Sequence, residues 1–318
     1  MLEGAITNPV EKLLDRNGKQ LRAEAVHAAA AMLQPDSSEQ LEKSLALGAA
    51  ILEMLHAASL VVDDIQDNSA MRRGAPTMHR EHGVPLALNA GNWLYFFPLL
   101  KVRELNLAPS LELQVIHDCH QTLLRGHYGQ ALDLAFGLDR LGQDDVYAVC
   151  RATMELKSGA LMQQAFHLGA RIAAQHGSAS GNLARVERKI LALGDFGRRY
   201  GVCLQMLNDV GNLTAVKEPE KKNEDLLLRR PSWVWAVAAK ELLPESYARF
   251  LARLENIASR PAAFEKFIAQ TEIAEHAKQL ALQELEQAVG DLLAEFSAEQ
   301  EGHKSIVQLT AKLAGAYE

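Results

Sequence analysis

Three carboxylates arrive together at the end of an apolar run. Asp63, Asp64 and Asp67 follow Leu55, Ala58, Ser59 and Val62 in the stretch MLHAASLVVDDIQDNSAMRRGAPTMH. Positions i and i+4 share a helix face, so Asp63 and Asp67 point the same way about one turn apart, with Asp64 beside them. Adjacent carboxylates repel, and at the end of a buried helix they need a counter-charge. A hard divalent cation supplies one: Mg2+ takes oxygen ligands and commonly binds one or two carboxylates plus substrate phosphates. Arg72 and Arg73 follow, and a guanidinium suits phosphate oxygens. The group therefore reads as a site for Mg2+ and a phosphorylated substrate. A DDxxD pattern alone is weak, because an acidic helix end is usually a solvated one. The apolar lead-in sets this one apart, since a helix apolar all round is buried.

Further along, polar groups interrupt other apolar helical stretches. Gln130 and Asp133 stand at i and i+3. Lys157 precedes Ser158 and Gly159. The run Leu204 to Asn212 carries Gln205 and ends in polar oxygens, with Asn208, Asp209 and Asn212 at i, i+1 and i+4 repeating the geometry of the first cluster. Taken singly, each is an ordinary hydrogen-bonded core group. Taken together they suggest a ligand site built from facing helices of a bundle.

The elements that must position these groups are helical. Ala, Leu, Glu, Gln and Lys abound and aromatics are 6% of the chain. The spacing predicts helices over Glu39–Val62, Pro85–Leu105, Ser110–Phe136, Gln143–Ala174 and Leu183–Asn212, with a charged loop from Lys217 to Pro231. The expected fold class is all-α, a single helical domain over residues 1–318, large enough at 48% hydrophobic content for a sizeable core. A net charge of -7 leaves no electrostatic footprint for nucleic acid. Cys119, Cys150 and Cys203 lack metal-ligand or framework spacing and suit a reducing cytoplasm. The first residues hold no apolar core of signal-peptide type. Val84 to Leu100 is uncharged but broken by Pro85, Gly91 and Pro98, so a buried segment is expected there and no stable membrane insertion.

From roughly Gly18 to Trp235 the chain resembles the trans-isoprenyl diphosphate synthases, the polyprenyl synthetase family, and is most similar to eukaryotic-type geranylgeranyl diphosphate synthases. The stretch around Asp63 is nearly a complete match to that family's first aspartate-rich motif. The resemblance implies the isoprenoid synthase fold, helices around a deep central cavity, and a homodimer. It implies head-to-tail condensation of an allylic diphosphate with isopentenyl diphosphate, with three Mg2+ per site. Carried over by motif, Asp63, Asp64 and Asp67 hold metal against the allylic diphosphate, and Arg72, Lys157 and Arg230 are cations on the same group. Lys19, Arg22, His56 and Arg73 match the isopentenyl diphosphate pocket. Gln130 and Asp133 match a stretch facing the reacting carbons. Gln205, Asn208, Asp209 and Asn212 lie in the second aspartate-rich motif. Product length is expected to be set beside the Asp63 helix: Ser59 and Ala58 are small, Leu55 lies a turn further down, and Tyr95 and Phe96 would form a floor at geranylgeranyl length.

The second motif departs from the family pattern, which begins Asp-Asp; here Asn208 replaces the first carboxylate. An amide oxygen coordinates without charge. Losing such a contact costs about tenfold to a hundredfold. Asn208 and Asn212 also fit, loosely, the first two positions of a terpene cyclase metal motif, but Val216 occupies the third. Two alternatives therefore stand beside the condensing enzyme: a cyclase derived from a prenyl synthase, and a non-catalytic subunit that binds prenyl diphosphate. The Lys19, Arg22, His56 and Arg73 set argues against the first, because a cyclase has no isopentenyl diphosphate to bind. The intact first motif argues against the second.

Overall fold

The apolar run and its aspartates form one helix, Glu39–Gln66, in the computed structural model of the chain. Ser38 caps its start, accepting the Leu41 N–H at 3.2 Å, and Asp67 closes its end. The helix is thus one turn longer than the sequence suggests and carries Asp63 and Asp64 in its last turn. The structure describes residues 2–16, 18, 20–36, 38–137, 140–177, 183–214, 224–296 and 302–316.

Among these residues the chain is helical apart from one small hairpin, Met71–Arg72 paired antiparallel with Ala75–Pro76. The hairpin occupies a stretch that reads as loop in the sequence. Its turn uses left-handed backbone at Arg73 and Gly74, with φ of 52° and 73°. The long helix expected from Gln143 is three elements: Gln143–Met154, a π-helical turn Glu155–Gly159, and Ala160–His176.

The chain divides into two compact units. The first comprises Met1–His120, Gln164–Leu193 and Glu299–Ser305. Within it Glu39–Gln66 packs against Val84–Lys101 and Leu21–Leu33. Ala57, Ala58 and Val61 meet Val10, Leu13, Met78, Ala87, Ala90 and Leu94 in a buried cluster, with Tyr95 and Trp93 on its edge. Small side chains at Ala58, Ala87 and Ala90 let the two helices approach closely. Glu39–Gln66 is long and apolar enough to cross a membrane, and half of its most apolar window is buried inside this chain. Val84–Lys101, the stretch nearest to a membrane span in the sequence, is a helix with Pro98 inside it and Ala87, Ala90, Gly91 and Leu94 buried.

The second unit comprises Gln121–Gln163, Gly194–Ala298 and Ile306–Glu318. At its centre lies Trp233–Glu241, packed against Gln143–Met154 and Ile273–Ala294. Both buried indoles are satisfied: Trp233 Nε1 donates to Ala277 O and Trp235 Nε1 to Tyr247 Oη, each at 2.8 Å. Phe250 gathers Trp235, Tyr247, Phe264 and Phe267 around it. Arg151 joins Gln143–Met154 to Ile273–Ala294 through both oxygens of Glu284, at 2.8 and 3.0 Å.

Candidate functional site

In the first unit the acidic cluster is built by the last helical turn of Glu39–Gln66. Asp63 and Asp67 are half-buried and one turn apart. Asp64 is buried, and its Oδ1 accepts from both Nε (2.9 Å) and Nη2 of Arg72. Burial pushes the Asp64 carboxyl up, and Arg72 opposes that shift. One carboxylate of the triplet is therefore engaged by the hairpin, and it fixes where Arg72 sits. Of the expected three carboxylates, Asp64 gives one oxygen, Oδ1, to Arg72. Among the described residues no three His, Cys, Asp or Glu side chains converge as a ready-made metal centre. Two carboxylates a turn apart fit a hard cation that completes its shell from water and phosphate oxygens.

One turn and two turns back from Asp63 the expected channel residues separate. Leu55 and Ala58 are fully buried in the core, whereas Ser59 is exposed, with its Oγ donating to His56 O at 2.8 Å. Tyr95 and Phe96 separate too. Tyr95 lies against the core cluster, its phenol pushed up to about 12 by burial and by the charge of Asp63. Phe96 is 70% exposed. Successive helical residues differ by about 100° around the axis, so two adjacent rings do not share one wall. Of the expected pair, Tyr95 packs on the core and Phe96 faces outward.

A second set of groups in the same unit suits an anion. His56 is held well below the usual histidine range by burial and then by the charges of Arg22, Arg73 and Arg72. A neutral imidazole among three guanidiniums is an environment that an incoming phosphate would relieve. Lys19, assigned to the same pocket by motif, lies outside the described residues. His79, which closes the same sequence motif, is buried with neither ring nitrogen hydrogen-bonded among the described residues.

In the second unit, Asp133 organises two cations. Its Oδ2 accepts from Lys157 Nζ at 2.9 Å and from Arg230 Nη1 at 2.8 Å. Lys157 stands in the π-helical turn, a device common at functional sites. Gly129 brings that turn close: a Cβ there would lie 2.7 Å from Lys157 Cγ and 2.9 Å from Leu156 Cβ. Gln130, beside it, is half-buried.

The second cluster is laid out along Leu183–Thr214. Gln205 accepts from Ser158 Oγ at 2.9 Å and donates to Asp209 Oδ1 at 2.8 Å. Asp209 is buried, and its other oxygen accepts the Trp233 N–H at 2.7 Å. It thereby satisfies the first orphan donor of Trp233–Glu241, whose own N-cap residue, Ser232, makes no side-chain cap bond. Asp209, expected in the metal motif, here caps a helix, with a hydrogen bond on each oxygen. Asn208 and Asn212 are half-buried and one turn apart, and Asn212 Oδ1 is buried without a hydrogen bond among the described residues. An orphaned amide oxygen beside a second amide fits a neutral pair of hard donors for a cation.

Sequence reasoning missed the cap and the π turn. Neither has a residue signature: the cap depends on which helix Asp209 reaches, and the turn on close approach at Gly129.

The family model described as polyprenyl synthetase matches residues 3–271. A geranylgeranyl pyrophosphate synthase of Aspergillus flavus is 39% identical over 132 residues, covering 42% of this chain and 36% of that protein. Geranylgeranyl pyrophosphate synthase D of Phomopsis amygdali is 31% identical over 229 residues, covering 70% of this chain and 48% of that protein. The chain thus spans less than half the length of each of these relatives. A crystal structure of a geranylgeranyl pyrophosphate synthase superimposes with a TM-score of 0.83 at 19% identity, covering 98% of this chain and 92% of that one, which establishes a shared helical fold.

Proposed function

The chain belongs to the polyprenyl synthetase family, and from that premise we propose that it is a prenyltransferase condensing an allylic diphosphate with isopentenyl diphosphate. The observation that carries this reading is that each unit holds its own cation set. Arg22 and Arg73 act on His56 in one; Lys157 and Arg230 share Asp133 in the other. Two anionic substrates need two such sets, whereas a cyclase takes one diphosphate.

Mg2+ is the proposed cofactor; Asp63 and Asp67 would hold it in the first unit, and the amide oxygens of Asn208 and Asn212 are a separate donor pair in the second. When bound, it neutralises charge on the leaving diphosphate. The cations of this chain do the same work from fixed positions: Lys157 and Arg230 exchange the Asp133 oxygen for diphosphate oxygens, so charge stabilisation is in place before the allylic C–O bond breaks. The carbocation left behind is attacked by the isopentenyl double bond, and the proton then lost passes to the departing diphosphate. Asp64 holds Arg72 in place throughout.

Geranylgeranyl length is the proposed product, from farnesyl diphosphate as the late allylic substrate. Ser59 is small and exposed one turn before Asp63, where a bulky side chain would stop the growing chain. A homodimer is supported by the outer face of Val84–Lys101, where Leu88, Asn92, Phe96 and Leu100 recur at helical spacing and are exposed. A reducing cytoplasm is supported by three free, buried cysteines.

One incubation tests the reading: purified chain, Mg2+, a series of allylic diphosphates, with and without isopentenyl diphosphate. Prenyl diphosphate formed only with isopentenyl diphosphate is the expected result. Hydrocarbon formed from an allylic diphosphate alone would replace the condensing reading by a cyclase.

A further inference from the structure

Arg16 belongs to neither motif, yet it ties together the two segments that carry the isopentenyl diphosphate cations. Its Nη1 donates to Arg72 O at 3.3 Å, and its own carbonyl accepts from Arg73 Nη1 at 3.1 Å. The exchange is reciprocal, side chain to backbone in both directions, across 56 and 57 residues of sequence. Two residues on, Gly18 receives the same guanidinium: a Cβ there would lie 2.8 Å from Arg73 Nη2 and 2.9 Å from its Cζ. The Arg73 head group is thus seated on Gly18 and bonded to Arg16 O.

The hairpin needs this tie. Its strands are two residues each, and an isolated two-stranded hairpin is marginal in water. Arg73 also holds a φ of 52°, a left-handed conformation that a non-glycine residue adopts only when its surroundings determine it. On the Arg72 side the hairpin is anchored by Asp64. On the Arg73 side it is anchored by the Arg16 carbonyl. The bland account of Arg16 is its ion pair with Glu81, but at 3.8 Å, with Glu81 one-third exposed, that contact is weak. The Arg16 side chain is only 14% exposed, so it is built into the structure and does not lie free over it.

We propose that Arg16 is a positioning residue for the isopentenyl diphosphate pocket, holding Arg73 at the angle at which its guanidinium meets that diphosphate. The proposal rests on the pocket reading given above. The Arg16 side chain holds the Arg72 carbonyl, which fixes the backbone at which Arg73 begins, while the Arg72 guanidinium keeps its own anchor in Asp64. Loss of Arg16 therefore weakens one substrate and spares the other.

The test is steady-state kinetics on the full chain, varying each substrate at saturation of the other, with thermal unfolding measured alongside. Arg16→Met should raise KM for isopentenyl diphosphate about tenfold, with KM for the allylic diphosphate and kcat within twofold of wild type. Arg16→Lys keeps a donor near Arg72 O without the planar fork, and it should fall between. Arg73→Lys is the control on the pocket itself. If Arg73→Lys leaves KM for isopentenyl diphosphate unchanged, the pocket reading is wrong and the inference falls with it. If Arg73→Lys raises that KM while neither Arg16 variant does, the pocket stands and the positioning role is overturned. Equal rises in both KM values also overturn it, since they mark general loosening. Should Arg16→Met fail to fold, Arg16→Lys decides on the same criteria.

Discussion

Replacing Asp133 by Asn removes the charge that Lys157 and Arg230 share and leaves the side-chain shape nearly intact. Both cations bond the same oxygen, at 2.9 and 2.8 Å, so their nitrogens lie within about 6 Å of each other. Two unit charges at that separation repel by about 3 kcal/mol at an effective dielectric near 20, and by about 0.7 kcal/mol in bulk water. Arg230 is 13% exposed and Lys157 31%, so the site lies between those limits. Asp133 offsets that repulsion in wild type, and leaving it unopposed in Asp133→Asn costs about 2 kcal/mol. At roughly 2–4 °C per kcal/mol in a domain of a few hundred residues, Tm should fall by about 4–8 °C. Inorganic pyrophosphate supplies the missing negative charge and binds the folded state alone. It should therefore raise Tm more in the variant than in wild type. Differential scanning fluorimetry with a pyrophosphate titration reads both effects. A Tm unchanged by the substitution, or an equal pyrophosphate response in the two proteins, would show that Asp133 is not the counter-ion holding these cations.

His56 gives a pH signature. Its folded-state pKa lies below its unfolded value, so the unfolded chain takes up the proton first and stability declines as pH falls through about 6.5; His56→Gln should flatten that decline in urea-unfolding curves across pH 5.5–8. Gly129→Ala sets a Cβ against Lys157 and Leu156, an overpacking cost of about 1–3 kcal/mol, and should raise KM for the allylic diphosphate more than that for isopentenyl diphosphate. Ser59→Phe should shorten the product toward farnesyl length by chromatography of the dephosphorylated chains, and Tyr95→Ala should lengthen it. Phe96→Ala, at a site 70% exposed, should leave product length unchanged, and a longer product there would restore the paired floor.

What was legible in the sequence was whatever depends on residue type and local spacing. Asp63 and Asp67 share a face because helices repeat every 3.6 residues, and Asn208 and Asn212 follow the same rule. The helices were legible for the same reason, to within a turn at each end. What escaped was set by partners distant in the chain. Asp64 and Asp209 look like their neighbouring carboxylates and amides, yet one is bound by Arg72 and the other caps Trp233–Glu241. Tyr95 and Phe96 are both aromatic, and only the packing of Val84–Lys101 tells which is inside. Arg16 has no motif at all, since what it recognises is backbone.

The π turn at Glu155–Gly159 adds one residue to a helical circuit, which advances the phase of everything after it by about 100°. Upstream side chains and downstream ones then face one neighbour that a plain helix would present to only one of them. Lys157 meets Asp133 and Gln163 meets Arg125 Nη1 at 2.7 Å, both partners lying on Pro109–Ala135. The direction of Lys157 is therefore set by a residue count. Substitutions in this turn leave the register intact, but a one-residue deletion would rewind it and swing the ammonium off its carboxylate without altering any residue of the motif. In aligning distant sequences here, a single gap has more chemical consequence than several mismatches.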